Sequence, residues 1–116
     1  MGNVSTLKPL KPADVGNKIC DDEVVDTVDV DDTVGGVALP ASPASGRVEV
    51  ELQNLSDTDD IWIKKGTGVT FGPTGNGYLL GRCTAKCLQC ADGVDYYGIA
   101  DTGKTVKIKV IERIVS

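Results

Sequence analysis

Residues 47–66 read R-V-E-V-E-L-Q-N-L-S-D-T-D-D-I-W-I-K-K-G. Val48, Val50 and Leu52 alternate with Arg47, Glu49, Glu51 and Gln53, the two-residue period of a half-buried strand. Asn54 to Asp60 is a polar turn. Ile61-Trp62-Ile63-Lys64 is a second short strand, with Ile61 and Ile63 on one face and Trp62 on the other. The rest of the C-terminal part continues in the same style. Six glycines between residues 66 and 81 predict tight hairpins with short strands at most, and Tyr78-Leu79-Leu80 begins another strand. Cys83 to Ala91 fits a strand with room for a bulge, Asp92-Gly93 is a turn, and Val94 to Ala100 is a strand before the turn Asp101-Thr102-Gly103. Between Val106 and Val115 six of ten residues are Val or Ile, which favours strand over helix.

Upstream, the composition changes. Residues 1–46 contain no aromatic residue, four of the five prolines, eight acids and three bases, so they carry the whole net charge of −5. Residues 47–116 hold every aromatic and balance nine acids with nine bases. Pro9 and Pro12 favour extended chain. Residues 21–34 carry seven acids and no base, and in isolation should be disordered or weakly structured. Residues 35–46, G-G-V-A-L-P-A-S-P-A-S-G, read as a linker. The expected architecture is all-β: a small β-sandwich or jelly-roll-like barrel over 47–116, preceded by an extended acidic N-terminal arm and linker over 1–46.

The function classes narrow accordingly. A sequence pI near 4.5 argues against nucleic acid. No run of 18 apolar residues spans a membrane, and no secretory signal opens the chain. Met1-Gly2-Asn3-Val4-Ser5-Thr6 fits a myristoylation pattern, and Asn3-Val4-Ser5 and Asn54-Leu55-Ser56 fit glycosylation sequons, which carry no meaning without secretion. With no histidine, a Ser/His/Asp arrangement is excluded, and no carboxylate pair is singled out for acid–base chemistry. The chain is expected to be non-enzymatic and to need no cofactor.

Three constellations could carry chemistry. Gly98 to Thr105 matches the phosphate-binding G-x-x-x-x-G-K-[ST], but a strand rather than a helix follows Lys104, so a turn is expected. Cys83, Cys87 and Cys90 follow C-x-x-x-C-x-x-C, and with Cys20 they offer a four-thiolate metal set. That spacing resembles the iron–sulfur motif of radical S-adenosylmethionine enzymes, but too little chain follows for their barrel. The competing reading makes Cys83, Ala85 and Cys87 a row of small core residues. The acids Asp21, Asp22, Glu23, Asp26, Asp29, Asp31 and Asp32 lack the spacing of a calcium loop and suit docking on a basic partner surface. Trp62, Tyr78, Tyr96 and Tyr97 are candidates for stacking on a ligand, against the alternative that Trp62 fills a core.

The stretch from Gly46 onward, with its strand, N-x-S turn, I-W-I unit, the glycine-rich segment with Y-L-L-G and the closing V-K-I-K-V-I-E strand, resembles small β-rich virion proteins of tailed bacteriophages. The resemblance implies a structural protein that decorates and stabilises a capsid. Its partner would be the major capsid protein, reached by the N-terminal arm, and it would self-associate, a trimer being one option. It would reside in the virion after assembly in the host cytoplasm. It leaves open a head–tail or tail joint protein, and a carbohydrate- or receptor-binding β module remains the other reading. The cysteine cluster is outside that resemblance.

Overall fold

The computed structural model describes residues 22–90 and 94–115. Eight strands are present among them: β1 (Asp22–Val30), β2 (Val37–Leu39), β3 (Arg47–Asn54), β4 (Ile61–Lys65), β5 (Tyr78–Leu80), β6 (Ala85–Gln89), β7 (Tyr96–Ala100) and β8 (Val106–Ile114). They form two four-stranded sheets, ordered β1-β8-β3-β6 and β2-β7-β4-β5. Every neighbouring pair is antiparallel. The chain is folded back on itself so that β1 pairs with β8, β2 with β7, β3 with β6 and β4 with β5. Only the β4–β5 connection stays within one sheet; every other connection crosses to the opposite sheet.

The alternation seen in the sequence builds the core. On β8, Val106, Ile108 and Val110 point inward and are fully buried, as are Val50 and Leu52 on β3. They meet Leu39, Ile61, Ile63 and Leu80 from the second sheet. Each such side chain contributes roughly 1.5–3 kcal/mol of transfer free energy, and aliphatic side chains supply most of it. Gly98 on β7 shows how closely the sheets approach, since a Cβ there would lie 3.1 Å from Leu39 Cδ1 and 3.2 Å from Ile61 Cδ1. Gly36 is needed for two reasons. Its φ is +96°, and an added Cβ would come within 2.5 Å of the buried Val69.

The division at Gly46 is corrected by this topology. Residues 22–30 are not a free arm: β1 pairs with β8 along all nine of its residues, and Val30 is fully buried. The supposed linker contributes β2, which pairs with β7. The sandwich therefore begins at Asp22 within the described residues, and the part of the arm before it lies outside them. The reason is charge pairing. The acids on the outward face of β1 lie opposite the bases of β8, Glu23 across from Arg113 and Asp29 across from Lys107.

Asn54-Leu55-Ser56 is a turn lock. Asn54 is buried and its Nδ2 donates to the carbonyls of Asp59 (3.0 Å) and Leu80 (3.1 Å), joining the end of β3 to the other sheet. Its Oδ1 accepts from Ser56 N at 2.9 Å, and Ser56 Oγ accepts from the amides of Thr58 and Asp59.

One end of the sandwich is closed by charge. Arg47 and Glu112 are buried, and Arg47 Nη1 donates to Glu112 Oε2 at 3.0 Å with both side chains at 0% exposure. Arg47 Nη2 donates to Asp95 Oδ1 at 3.0 Å and to the Val94 carbonyl. Glu112 Oε2 also accepts from Ala44 N at 3.0 Å. The register shift between Arg47 and Glu49 turns Arg47 to the interior, although simple alternation places it outside. Arg47→Leu leaves the buried Glu112 carboxylate without its counterion and should cost about 3–5 kcal/mol in urea unfolding, and Glu112→Leu, which leaves Arg47 paired with Asp95, should cost less. The double Leu variant should recover most of that loss. Additive losses would show that the pair is not the coupled unit described.

Candidate functional site

The surfaces that could act on a partner are the two outer sheet faces and the edge of β1, which is unpaired among the described residues. On the first sheet's outer face Arg113 is the centre. Its Nη2 donates to Glu51 Oε1 at 2.7 Å, its Nη1 to Glu49 Oε2 at 3.4 Å and its Nε to Glu23 Oε2 at 3.2 Å. These carboxylates hold the guanidinium's proton more tightly than usual. The Gln53 side-chain amide, with Arg113 behind it, holds the Glu51 carboxyl below the ordinary range. Lys107 Nζ and Asp29 Oδ1 pair at 2.9 Å on the same face. Such exposed pairs contribute roughly 0.2–1 kcal/mol each.

The acids named from the sequence separate into groups. Asp21 lies outside the described residues, as does Cys20. Glu23 and Asp29 are spent on β8. Asp31 closes its own turn, accepting from Thr33 N (3.0 Å) and Thr33 Oγ1 (2.5 Å), and these bonds lower its pKa. Asp32 Oδ2 accepts from Gly103 N at 3.0 Å, tying the turn after β1 to the turn before β8. Asp22 and Asp26 are exposed and have no ion-pair partner among the described residues.

The cysteines do not converge. Cys83 is exposed in the turn before β6, with φ +55° and its Sγ 3.5 Å from the Ser56 carbonyl. Cys87 is exposed on the outward face of β6, opposite Glu51, and Cys90 is half-buried against the core. The expected core row of Cys83, Ala85 and Cys87 is thus corrected, because Leu88 takes the inward phase of β6 and leaves Cys87 outside. Burial against its neighbours, then the Glu49 and Glu51 carboxylates, push the Cys87 thiol up, so it stays protonated and weakly nucleophilic at neutral pH. Among the described residues no group of three His, Cys, Asp or Glu side chains is placed to hold a metal ion.

The aromatics also separate. Tyr96 is only 5% exposed and donates from its hydroxyl to the Gln89 carbonyl at 3.2 Å, so it is a core residue and not a stacking platform. Burial raises its pKa. Trp62 is half-buried on the outer face of the second sheet, with Leu79 and Ile99 as its cross-strand neighbours. Phe71 meets it edge-on, with ring centroids 6.4 Å apart. Tyr97 is half-buried on β7, while Leu79 (51%) and Tyr78 (60%) are exposed on the edge strand. The loop that carries Phe71 is braced by Asn76, which accepts from Thr70 N at 3.0 Å and donates to the Gly68 carbonyl at 3.0 Å. A shallow hollow of about 340 Å³ lies near Asn54, Cys83 and Thr84.

Residues 98–105 do not form a phosphate cradle. Gly98 is inside β7, Lys104 N donates to the Asp101 carbonyl in a tight turn, and β8 follows directly. The expected turn is present, and it carries the chain from the second sheet to the first. Lys104 Nζ lies 3.8 Å from Asp59 Oδ1. Arg47 and Glu112 were legible only in part. Glu112 falls on the inward phase of Val106, Ile108 and Val110, where an acid is out of place, but nothing in the local pattern marks the register shift at Arg47.

No protein-family model matches the chain, and neither a curated protein nor a solved structure does.

Two outcomes are expected. Asp31, Glu51 and Asp60 all sit below their ordinary values of 3.8, 4.5 and 3.8. For Asp60 the cause is chiefly the Arg82 amide. A lowered folded pKa adds stability that is complete above the ordinary value and lost as pH falls through the folded one. Tm should hold between about pH 7 and pH 5 and drop below about pH 4. The triple variant Asp31→Asn, Glu51→Gln, Asp60→Asn should show a shallower acid drop, and equal slopes would contradict the assignment. Separately, iodide should quench native Trp62 partially and Phe71→Ala should increase that quenching; complete shielding in both would contradict the outer-face placement.

Proposed function

We propose that the chain is a non-enzymatic structural protein of a virion, one that decorates and stabilises a capsid. The observation that carries the reading is the strand order. Sheets ordered β1-β8-β3-β6 and β2-β7-β4-β5 are those of an eight-stranded jelly roll, an architecture shared by viral capsid and lectin domains and by cupins. A fold hosts many functions, so the order supports the reading without specifying it. Two surface features favour assembly within that set. The outer face of the second sheet presents apolar groups at Phe71 and Leu79 beside Trp62, a face that gains by association of copies, as in a trimer. The first sheet ends in an acidic strand suited to a basic surface of the major capsid protein. The virion is then its location.

A second reading has its own support in Trp62 and Phe71, whose braced, outward ring pair suits a head–tail joint contact or a carbohydrate- or receptor-binding module.

The test is sizing of the purified protein followed by co-sedimentation with capsids of the virus that encodes it. Self-association is expected, with capsid binding that weakens between low salt and about 0.5 M because exposed charges are screened. A monomer that ignores capsids and shifts its Trp fluorescence with glycans would replace the first reading with the second.

A further inference from the structure

Among the described residues the first sheet has an unused edge. β1 is a terminal strand of that sheet and pairs only with β8 among the described residues. It runs nine residues, whereas β2 and β5, the edges of the second sheet, have three each and β6 has five. Short edges are protected by their length; a long one presents a row of backbone donors and acceptors to any extended chain. We propose that β1 accepts an added strand, and that the occupant is a basic extended segment of a partner protein.

Charge selects the occupant. Successive side chains of β1 alternate between faces. Glu23 and Asp29, on the outward row, are engaged by Arg113 and Lys107. Asp22 and Asp26 share the other row with Val28 and the buried Val30, yet both are exposed and have no ion-pair partner among the described residues. Between them Val24 is 36% exposed, and Val25 beside it 54%. The edge thus offers Asp, Val and Asp at alternate positions on one face. A chain carrying Lys or Arg, an apolar residue, and Lys or Arg at the same spacing matches it.

A second copy of β1 cannot pair along the full length of the strand without opposing like charges. An antiparallel pairing of two β1 edges centred on Asp26 sets Asp26 opposite itself and Glu23 opposite Asp29. Like charges directly opposed on adjacent strands are destabilising. Inward-row acids on an edge strand are also a known way of preventing self-pairing. The same groups that disfavour full-length pairing with a copy favour a basic strand, and backbone hydrogen bonds would supply the affinity.

This inference deepens the reading above and rests on it only in that the chain works by binding another protein. The probe is a fluorescein-labelled, amidated peptide Thr-Lys-Thr-Val-Thr-Lys-Thr, which reads the same in either direction and places its lysines opposite Asp22 and Asp26. It is titrated into the full chain by polarisation, and hydrogen exchange is followed by mass spectrometry. Binding is expected with slowed exchange over residues 22–27, no binding of the Glu-for-Lys peptide, and weakening with salt. Asp22→Lys with Asp26→Lys should lower affinity about tenfold. Both positions are exposed, and Asp26→Asn, with a smaller loss, serves if the double variant unfolds. Absence of binding, unchanged exchange in β1, or equal affinity of the charge-reversed variant overturns the proposal. Capsid binding that survives Asp22→Lys with Asp26→Lys removes the edge proposal and leaves the virion reading. Peptide binding without capsid binding does the reverse.

Discussion

The contact between Arg47 and Glu112 organises the end of the sandwich at which the two sheets are mismatched. β1, β3 and β8 have eight or nine residues, while no strand of the second sheet exceeds five. The longer sheet therefore overhangs the shorter one, and an aliphatic core cannot cover the overhang. The ion pair gathers the chain there instead. Ala44 in the β2–β3 connection, the start of β3, residues 94 and 95 before β7 and the end of β8 all meet on it. A buried pair repays its desolvation only when well hydrogen-bonded. Here Arg47 Nε and Glu112 Oε1 have no hydrogen-bond partner among the described residues. The pair's contribution is therefore chiefly geometric. It fixes the register shift at the start of β3 and brings the crossing connections over the exposed end of the sheet.

With that end fixed, the remaining architecture follows from alternation and from connections able to cross between sheets. The Asn54 lock and the Asp32–Gly103 hydrogen bond each tie the two sheets or their turns together through side-chain oxygen or nitrogen. This matters in a sandwich whose chain changes sheet at nearly every connection, because backbone ladders run only within sheets. The few polar side chains that reach across do what a hairpin ladder does in simpler sandwiches.

The strands over residues 47–54, 61–65 and 106–114 were legible because each carries its period in its own residues. β1 was not. Its Val and Thr content allows a strand, but its acids appear prohibitive until Lys107 and Arg113, some eighty or ninety positions later, are set opposite them. Charge compensation across a ladder is non-local, and a window of sequence cannot contain it. β2 was hidden for the opposite reason: three residues between glycines and a proline hold no period at all. The cysteine row failed on phase. Ala85 and Cys87 do share a face, but Leu88 decides which face is inward. Among the aromatics, Trp62 was assigned to the correct side of its strand, while nothing distinguished the buried Tyr96 from the half-buried Tyr97 beside it.

The acidic charge that marks the N-terminal part of the chain is thus divided by the pleat of a single strand. The outward row of β1 is neutralised by β8 and serves the fold. The other row is left with Asp22 and Asp26 at the margin of the sheet, where they are exposed and balance no base among the described residues. A strand whose acids served only to hold it in place would need the first row alone. The second row disfavours full-length pairing with a copy while the edge's backbone stays unpaired among the described residues, a combination that would suit a protein meeting a different chain. The charge therefore belongs to an edge that is already part of the folded domain. For the proposed binding, part of the cost of ordering the segment would be met when the domain folds, before a partner is encountered.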